Sequence, residues 1–266
     1  MSLSAVLSRI DDQLPMATER LLEFLRIPSI STDPAFAEAC QDAADWLVRD
    51  LQSIGIDAQK RDTPGHPMVV GHVGGDADGP HLLFYGHYDV QPVDPLDLWT
   101  NDPFDPRIED TVKGQVIRGR GTSDDKGQLM TFVEACRAYR DVNGTLPCRI
   151  TFFFEGEEES GSPSLIPFME QHAEELSADL ALICDTGMFQ SKTPAIVTML
   201  RGMVQEELTV TGPDVDLHSG FFGGLAINPI RVLSQILADL HDETGRVTLE
   251  GFYDGIPELT PEMRAQ

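Results

Sequence analysis

Four short segments of this sequence carry histidine and carboxylate side chains directly after apolar runs or turns. Imidazole nitrogen and carboxylate oxygen are the donors with which proteins hold zinc and related divalent ions. A further carboxylate beside such ions can act as a base toward water. If the apolar runs are strands that end at one edge of a sheet, the segments predict one or two divalent metals with a carboxylate base. The residues concerned are His87 and Asp89, Asp124 and Asp125, Glu157, Glu158 and Glu159, and Asp185.

Each segment also has an ordinary structural interpretation, which the segment taken alone leaves open. His87 can be a surface histidine beside a turn, and Asp124 can be the capping residue of a helix. The run Glu157-Glu158-Glu159 can be a solvated loop, although adjacent carboxylates repel one another unless solvent or cations relieve them. Asp185 alone is a turn residue. Because four such segments follow one another along the chain, we favour a common site.

The apolar pattern around these segments predicts an α/β fold. Glycine and proline delimit the elements, as where Asp33-Pro34 begins a helix and Gly55 ends it. Strands separated by helices favour a mixed, mostly parallel sheet with helices on both faces. We expect a hairpin loop at 74–80 between the first two strands. The expected helices cover 16–25, 34–54, 126–142 and 163–176, and the expected strands cover 68–73, 81–85, 107–110, 115–118, 149–154, 180–184 and 195–200.

The pattern changes near Leu200 and Arg201, where we place a domain boundary. Residues 203–211 alternate imperfectly between apolar and polar, which is typical of a half-exposed antiparallel strand. Residues 228–240 have the apolar spacing of a helix. The sequence therefore predicts one domain over 1–200 and an incomplete α+β unit over 201–266.

The charge balance limits the partners that the protein can have. There are 44 acidic and 19 basic residues, which gives a formal net charge of −25. A nucleic-acid backbone or an anionic membrane surface would be repelled, so we expect neither as a partner. Four scattered cysteines without a CxxC pair, and the absence of a signal peptide or an apolar span, favour a cytoplasmic protein with reduced thiols.

Three long motifs resemble those of the M20 family of metallopeptidases. Within that family the sequence is most similar to the cytosolic dipeptidase and carnosinase-like branch. The likeness runs over nearly the whole chain, from Phe24-Leu25-Arg26-Ile27-Pro28-Ser29-Ile30 to Gly251-Phe252-Tyr253-Asp254-Gly255. The three motifs are Gly86-His87-Tyr88-Asp89-Val90-Gln91-Pro92, Gly119-Arg120-Gly121-Thr122-Ser123-Asp124-Asp125-Lys126-Gly127 and Glu158-Glu159-Ser160-Gly161-Ser162.

The resemblance implies a zinc-peptidase-like catalytic domain with two divalent metal ions, usually zinc, with manganese or cobalt as alternatives. It implies that His87 and Asp185 bind the first ion, that Glu159 binds the second, and that Asp124 bridges both. It also implies a cis peptide between Asp124 and Asp125. Aspartate at 185, where relatives that act on acylated amino acids tend to have glutamate, favours a peptidase.

The same resemblance assigns the remaining roles. Glu158 would be the general base on the water between the ions, and Asp89 would orient His87. His218 would reach a substrate and polarise its scissile carbonyl, often across a dimer interface, although a loop histidine near glycine is also its ordinary interpretation. The family thus implies hydrolysis of dipeptides or short peptides by a homodimer that assembles through a lid domain, here 201–266.

One departure from the family pattern bears on activity. No histidine follows His241, whereas family members carry a last metal-binding histidine near the C-terminus and a carboxylate-binding arginine in the rest of the lid. We therefore expect the catalytic domain to lack its returning C-terminal segment, and this chain by itself to be inactive or nearly so. Two alternatives to the dipeptidase remain: an N-acyl amino acid deacylase of the same family, and a non-catalytic truncated remnant.

Overall fold

The computed structural model describes residues 2–75, 79–112, 114–188, 190, 193, 195–197 and 200–264. The chain divides into two compact units, Met1–Val197 and Thr198–Gln266. The helices are α1 Leu3–Leu25, α2 Ala37–Ser53, α3 Lys126–Asn143, α4 Leu165–Gln171, α5 Ala173–Leu176, α6 Ser219–Phe222, α7 Pro229–Asp239 and α8 Pro261–Arg264. The strands are β1 Asp57–Arg61, β2 Met68–Val73, β3 His81–His87, β4 Arg107–Thr111, β5 Gly114–Arg118, β6 Arg149–Glu155 and β7 Leu180–Ile183.

A five-stranded sheet with the order β1-β2-β6-β3-β7 forms the centre of the first unit. The pairs β6–β3 and β3–β7 are parallel, and β2 is antiparallel to both β1 and β6. Four strands therefore run in one direction and β2 runs in the opposite one, so the predicted α/β fold with a mixed, mostly parallel sheet is confirmed. Strands β4 and β5 form a separate hairpin.

Helices cover both faces of this sheet. Successive side chains of a strand point to opposite faces, and neighbouring residues pack against different helices. Val69 and Phe152 belong to a large buried cluster with residues of α1, α2 and α3. Their neighbours Val70 and Phe153 belong to a smaller cluster with Phe168 of α4 and a residue of α5. Strand β6 is buried along nearly its whole length, as its continuous apolar run predicts for a strand covered on both sides.

A capping side chain and two glycines set helix boundaries around the sheet. Asp33 accepts a hydrogen bond from the backbone N–H of Ala35 at 2.9 Å, and a short 3₁₀ turn then leads into α2. Gly55 follows α2 with φ +70°, and Gly144 follows α3 with φ +76°. A side chain at either glycine would be strained, which explains why these helices end there.

Helix α1 begins earlier than the sequence predicts. The expected helix starts at residue 16, whereas α1 starts at Leu3 and continues through Pro15. Contacts with α3 hold the extra turns, because the side chains of Arg9 and Gln13 both bond to Asp141, at 2.8 Å and 2.9 Å. These long-range contacts have no signature in the local pattern.

The expected hairpin between the first two strands is wrong. Strands β2 and β3 do not pair, because β6 lies between them and bonds to both. Residues 76–78 of the expected loop lie outside the described residues. The sequence also gave no indication of β1, whose polar residues occupy the edge of the sheet.

Two further expected strands are not found in the described part of the chain. Residues 195–197, 200 and 203–211 have no strand structure, while 198–199 lie outside the described residues. An alternating pattern specifies a face but not a partner, and a strand exists only where a second segment supplies the ladder of hydrogen bonds.

The described residues of the second unit contain α6, α7 and α8. The side chain of Asn228 caps α7 by accepting the backbone N–H of Ile230 at 2.9 Å, with Pro229 at the first helical position. The assignment of 1–200 as a catalytic domain and of 201–266 as a lid stays a prediction. No helix in the described ranges has the length and apolar character needed to cross a membrane.

Candidate metal centre

Strands β6, β3 and β7 are parallel neighbours, so their carboxyl ends meet at one edge of the sheet. His87 is the last residue of β3, the run that includes Glu158 and Glu159 follows β6, and Asp185 follows β7. The fourth segment, with Asp124, leads into α3. The topology therefore brings together segments that are far apart in sequence.

His87, Asp124 and Asp185 form a compact group. Nε2 of His87 lies 3.1 Å from Oδ1 of Asp124 and 3.7 Å from Oδ2 of Asp185. One donor atom from each of the three lies within 4.8 Å of the others. His87 is fully buried, whereas the two aspartates are open to solvent. One imidazole and two carboxylates that converge from different segments fit a divalent ion such as zinc.

The buried imidazole of His87 is surrounded by negative charge. Burial, the largest single effect, lowers its pKa, but it is outweighed by the hydrogen bond and charge of Asp89 acting with the charges of Asp125 and Glu158. Together they raise the pKa of His87 to about 10. Because a metal binds the unprotonated ring, an ion and a proton would compete for Nε2.

Asp89 connects His87 to the acidic turn after β6. Its Oδ1 lies 3.3 Å from Nδ1 of His87, which also contacts the Asp89 carbonyl oxygen at 3.1 Å. The same carboxylate accepts the backbone N–H groups of Glu158 at 3.3 Å and Glu159 at 3.0 Å. The sequence predicts the first contact, since a carboxylate commonly holds the free nitrogen of a metal-binding histidine. The contacts between Asp89 and the backbone of Glu158 and Glu159 could not be predicted from the sequence.

Ser29 and Ile30 hold the segment that contains Asp89. The hydroxyl of Ser29 donates to the carbonyl oxygen of Tyr88 at 2.7 Å, and the Ser29 carbonyl accepts the N–H of Val90 at 2.9 Å. Ile30 forms an isolated parallel bridge with Val90. The Pro28-Ser29-Ile30 segment after α1 thus holds the backbone on both sides of Asp89 in place.

The three consecutive glutamates have different environments. Glu157 is buried and accepts the backbone N–H groups of His66 at 3.1 Å and Ser164 at 3.0 Å, so its role is structural. Glu159 accepts a hydrogen bond from the side chain of Gln91 at 2.6 Å. It lies outside the compact group formed by His87 and the two aspartates. A run of like charges therefore contains both a structural residue and candidates for chemistry, which sequence alone could not separate.

The carboxylate of Glu158 differs from those of its two neighbours. No hydrogen bond to its carboxylate is found within the described residues, which leaves the oxygens free. Burial raises its pKa above the ordinary value; His87 opposes the shift, and nearby Asp89, Asp185 and Asp124 reinforce it. A carboxylate with a raised pKa holds an abstracted proton more readily near neutral pH.

Sequence reasoning missed the roles of Asp125 and Lys126. The buried carboxylate of Asp125 accepts the backbone N–H of His87 at 3.2 Å, and burial raises its pKa to about 7. The buried ammonium of Lys126 donates to the carbonyl oxygens of Phe24 at 3.2 Å and Ile27 at 2.7 Å. These residues tie the start of α3 to β3 and to the end of α1. The Asp124–Asp125 peptide is cis, as the family resemblance implies.

His218 belongs to the second unit and is exposed. Its Nδ1 accepts the backbone N–H of Gly220 at 3.0 Å and so caps α6, and its ring packs against Phe221. This contact leaves Nε2 as the nitrogen that carries the proton. The capping role agrees with the ordinary interpretation, and the free Nε2–H retains the ability to donate to a carbonyl.

A model of the peptidase family M20/M25/M40 matches residues 83–262. The chain belongs to this family. Among curated relatives of this M20 chain, the Cys-Gly metallodipeptidase dug1 of Schizosaccharomyces pombe is 34% identical over 273 residues, covering 98% of the chain and 57% of that protein. The Beta-Ala-His dipeptidase of Homo sapiens is 31% identical over 275 residues, covering 98% and 54% respectively.

A solved structure supports the same relationship. The M20 family metallo-carboxypeptidase Sso-CP2 from Sulfolobus solfataricus superposes with a TM-score of 0.75 and 36% identity, over 94% of this M20 chain and 55% of that one. The resemblance drawn from the three motifs is therefore confirmed. The chain spans a little over half the length of the relatives that it matches.

Proposed function

We propose that the protein to which this sequence belongs is a metal-dependent dipeptidase. The observation that supports this most directly is the convergence of His87, Asp124 and Asp185 at the edge of the sheet where Glu158 also lies. The curated relatives named above, a metallodipeptidase and a dipeptidase, agree with peptide bonds as the substrate class.

The compact group of His87, Asp124 and Asp185 fits one divalent ion, most simply zinc, and we propose that a second ion is held beside it. His87 and Asp185 would hold one ion, Glu159 the other, and Asp124 would lie between them. When bound, such ions supply positive charge that lowers the pKa of water toward neutrality and polarises a carbonyl. Manganese and cobalt accept the same nitrogen and oxygen donors.

The remaining steps belong to the side chains. Glu158 would take a proton from the attacking water and deliver it to the amine that leaves when the C–N bond breaks. Asp89 would keep Nδ1 of His87 occupied, so that Nε2 faces the site. His218 would donate from Nε2 to the carbonyl oxygen of a substrate as negative charge develops there. We also propose a cytoplasmic homodimer that assembles through 201–266.

Substrate comparison tests the function. The full-length protein should hydrolyse free dipeptides such as Cys-Gly or β-Ala-His faster than N-acetyl amino acids, measured by release of free amino acid with zinc, manganese or cobalt. Faster cleavage of N-acetyl amino acids would identify a deacylase instead. Tight metal binding without hydrolysis of either class would favour a non-catalytic protein.

A further inference from the structure

The turn that carries Glu158 and Glu159 begins and ends at one buried carboxylate. Glu155 is the last residue of β6, and Ser162 closes the turn. The hydroxyl of Ser162 donates to Oε1 of Glu155 at 3.0 Å, and the hydroxyl of Tyr85 donates to the same oxygen. Two hydroxyls from different parts of the chain therefore meet at the point where the turn leaves the sheet.

The backbone of Ser162 shows that this closure is specific. Ser162 has φ +52°, and it is the one non-glycine residue with positive φ in the described part of the chain. A side chain disfavours this conformation unless surrounding contacts hold it. Here the Ser162 N–H donates to the carbonyl oxygen of Glu157 at 2.8 Å while its hydroxyl reaches Glu155.

Glu155 is an unusual residue for the end of a buried strand. Its side chain is fully buried, and Oε2 has no hydrogen-bond partner among the described residues. Burial raises its pKa, and the hydroxyls of Tyr85 and Ser162 oppose the shift. An aliphatic side chain could be buried here at a lower cost in desolvation free energy. We therefore look for the role of the carboxylate in its hydrogen bonds with Tyr85 and Ser162.

We propose that Glu155, with Tyr85 and Ser162, forms a clamp that positions Glu158 and Glu159 for the reaction. The clamp fixes the turn at its base, while Asp89 holds the N–H groups of Glu158 and Glu159 at its tip. The proposal rests on the proposed function, since it assigns the clamp to the ion that Glu159 would hold. Glu159 is the proposed ligand that this turn carries, so we expect the clamp to affect the second ion more than the first, although Tyr85 also lies on β3 two residues before His87.

Three variants remove the clamp in different ways. Ser162→Ala deletes one hydroxyl and keeps the side chain at positive φ. Ser162→Gly deletes the same hydroxyl and relieves the backbone, so it separates strain from positioning. Tyr85→Phe deletes the other hydroxyl without changing the turn.

Two matched controls remove equivalent atoms nearby. Ser160→Ala removes a hydroxyl of the same turn that donates to the carbonyl of Glu157 at 3.1 Å. Tyr88→Phe removes a buried phenolic hydroxyl that donates to the carbonyl of Pro67 at 2.6 Å. Neither hydroxyl contacts Glu155, so loss of stability alone would affect controls and clamp variants alike.

Two measurements on the full-length protein decide the proposal. Backbone hydrogen exchange of the metal-free protein should become faster at Glu158 and Glu159 in all three clamp variants and stay unchanged in the controls. Calorimetric titration with Zn²⁺ should show the affinity for the second ion falling about 10-fold or more, with a smaller change for the first ion. Similar losses in Ser162→Gly and Ser162→Ala would assign the effect to the hydroxyl.

Different results would contradict the clamp and the two-metal site. Clamp variants that behave like their controls, or that weaken both ions equally, would overturn the clamp. Uptake of fewer than two ions by the unmodified full-length protein would instead count against the two-metal part of the proposed function. In that case the exchange rates at Glu158 and Glu159 decide the clamp, because that measurement needs no metal.

Discussion

Asp89 accepts the backbone N–H of Glu159 at 3.0 Å with the same carboxylate that lies 3.3 Å from Nδ1 of His87. One fully buried side chain thereby fixes the distance between the end of β3 and the turn after β6. Residues proposed to hold different ions are thus linked through a single group. The HxD spacing, which in the sequence suggests only an oriented histidine, has a second role that depends on the fold.

Replacing Asp89 with asparagine should weaken both ions. The change removes the negative charge beside His87 and places an amide N–H₂ where the carboxylate accepts two backbone N–H groups. We expect metal affinity to fall about 10–100-fold, as for other groups that orient ligands, measured by competition with a coloured chelator. Asp97→Asn, at an exposed position, is the control. Unchanged affinity in Asp89→Asn would show that the carboxylate does not orient the ligands.

Replacing Glu158 with alanine should abolish turnover without removing metal. In the full-length protein we expect kcat to fall by about 10²–10⁴, with the metal content per chain unchanged. Glu159→Ala is the matched comparison, because it should lose an ion as well as activity. Elemental analysis for bound metal, together with a dipeptide assay, distinguishes the effect of Glu158→Ala from that of Glu159→Ala. Wild-type turnover in Glu158→Ala, or loss of both ions from it, would show the base to be assigned wrongly.

Replacing Gly127 with alanine should disturb the loop that carries Asp124. A Cβ atom at 127 would lie 2.0 Å from the carbonyl oxygen of Thr122, which is backbone and has no free end to move. We expect a loss of stability of about 1–3 kcal/mol, together with weaker binding of the first ion. Gly74→Ala is the control, since a Cβ there meets nothing within 4 Å. Urea unfolding and metal titration would show both effects, and equal stability of the two variants would contradict the steric argument.

The carboxylate of Glu175 should contribute stability that disappears in acid. The hydrogen bond from His72 lowers the pKa of Glu175; burial opposes the shift, and Arg61 and His172 reinforce it. A lowered pKa means that the contribution is present above the ordinary pKa and is lost as pH falls through the folded-state value. Glu175→Gln should therefore lower the free energy of unfolding by about 1 kcal/mol near pH 7, and the two proteins should converge only as pH falls below the lowered folded-state pKa of Glu175. A constant difference across this range would rule out the charge as its source.

The sequence was sufficient for the elements whose pattern is local. The continuous apolar run 149–154 predicts a buried strand, and Gly55 predicts the end of a helix, because burial on both faces and positive φ each leave a residue signature. The end of β3 at His87 and the end of β7 just before Asp185 could be predicted from the apolar runs that precede them, and Asp124 from the start of α3.

Contacts between distant segments had no such signature. The pairing of β6 between β2 and β3 depends on which strand fits the gap, and the apolar pattern of β2 is the same with either neighbour. The structural role of Glu157 beside the free carboxylate of Glu158 depends on the N–H groups of His66 and Ser164, which no spacing within the acidic run reveals.

The sheet order also determines when, during synthesis, the site can form. Strand β3 emerges from the ribosome long before β6, yet β6 is the strand that separates it from β2 and the one that leads into the acidic turn. Until Arg149–Glu155 is available, β3 lacks this neighbour and His87 has no structured turn beside it. Non-local pairing of this kind delays folding and leaves strand edges exposed. A nascent chain can therefore bring His87, Asp124 and Asp185 together only after Asp185 has been added.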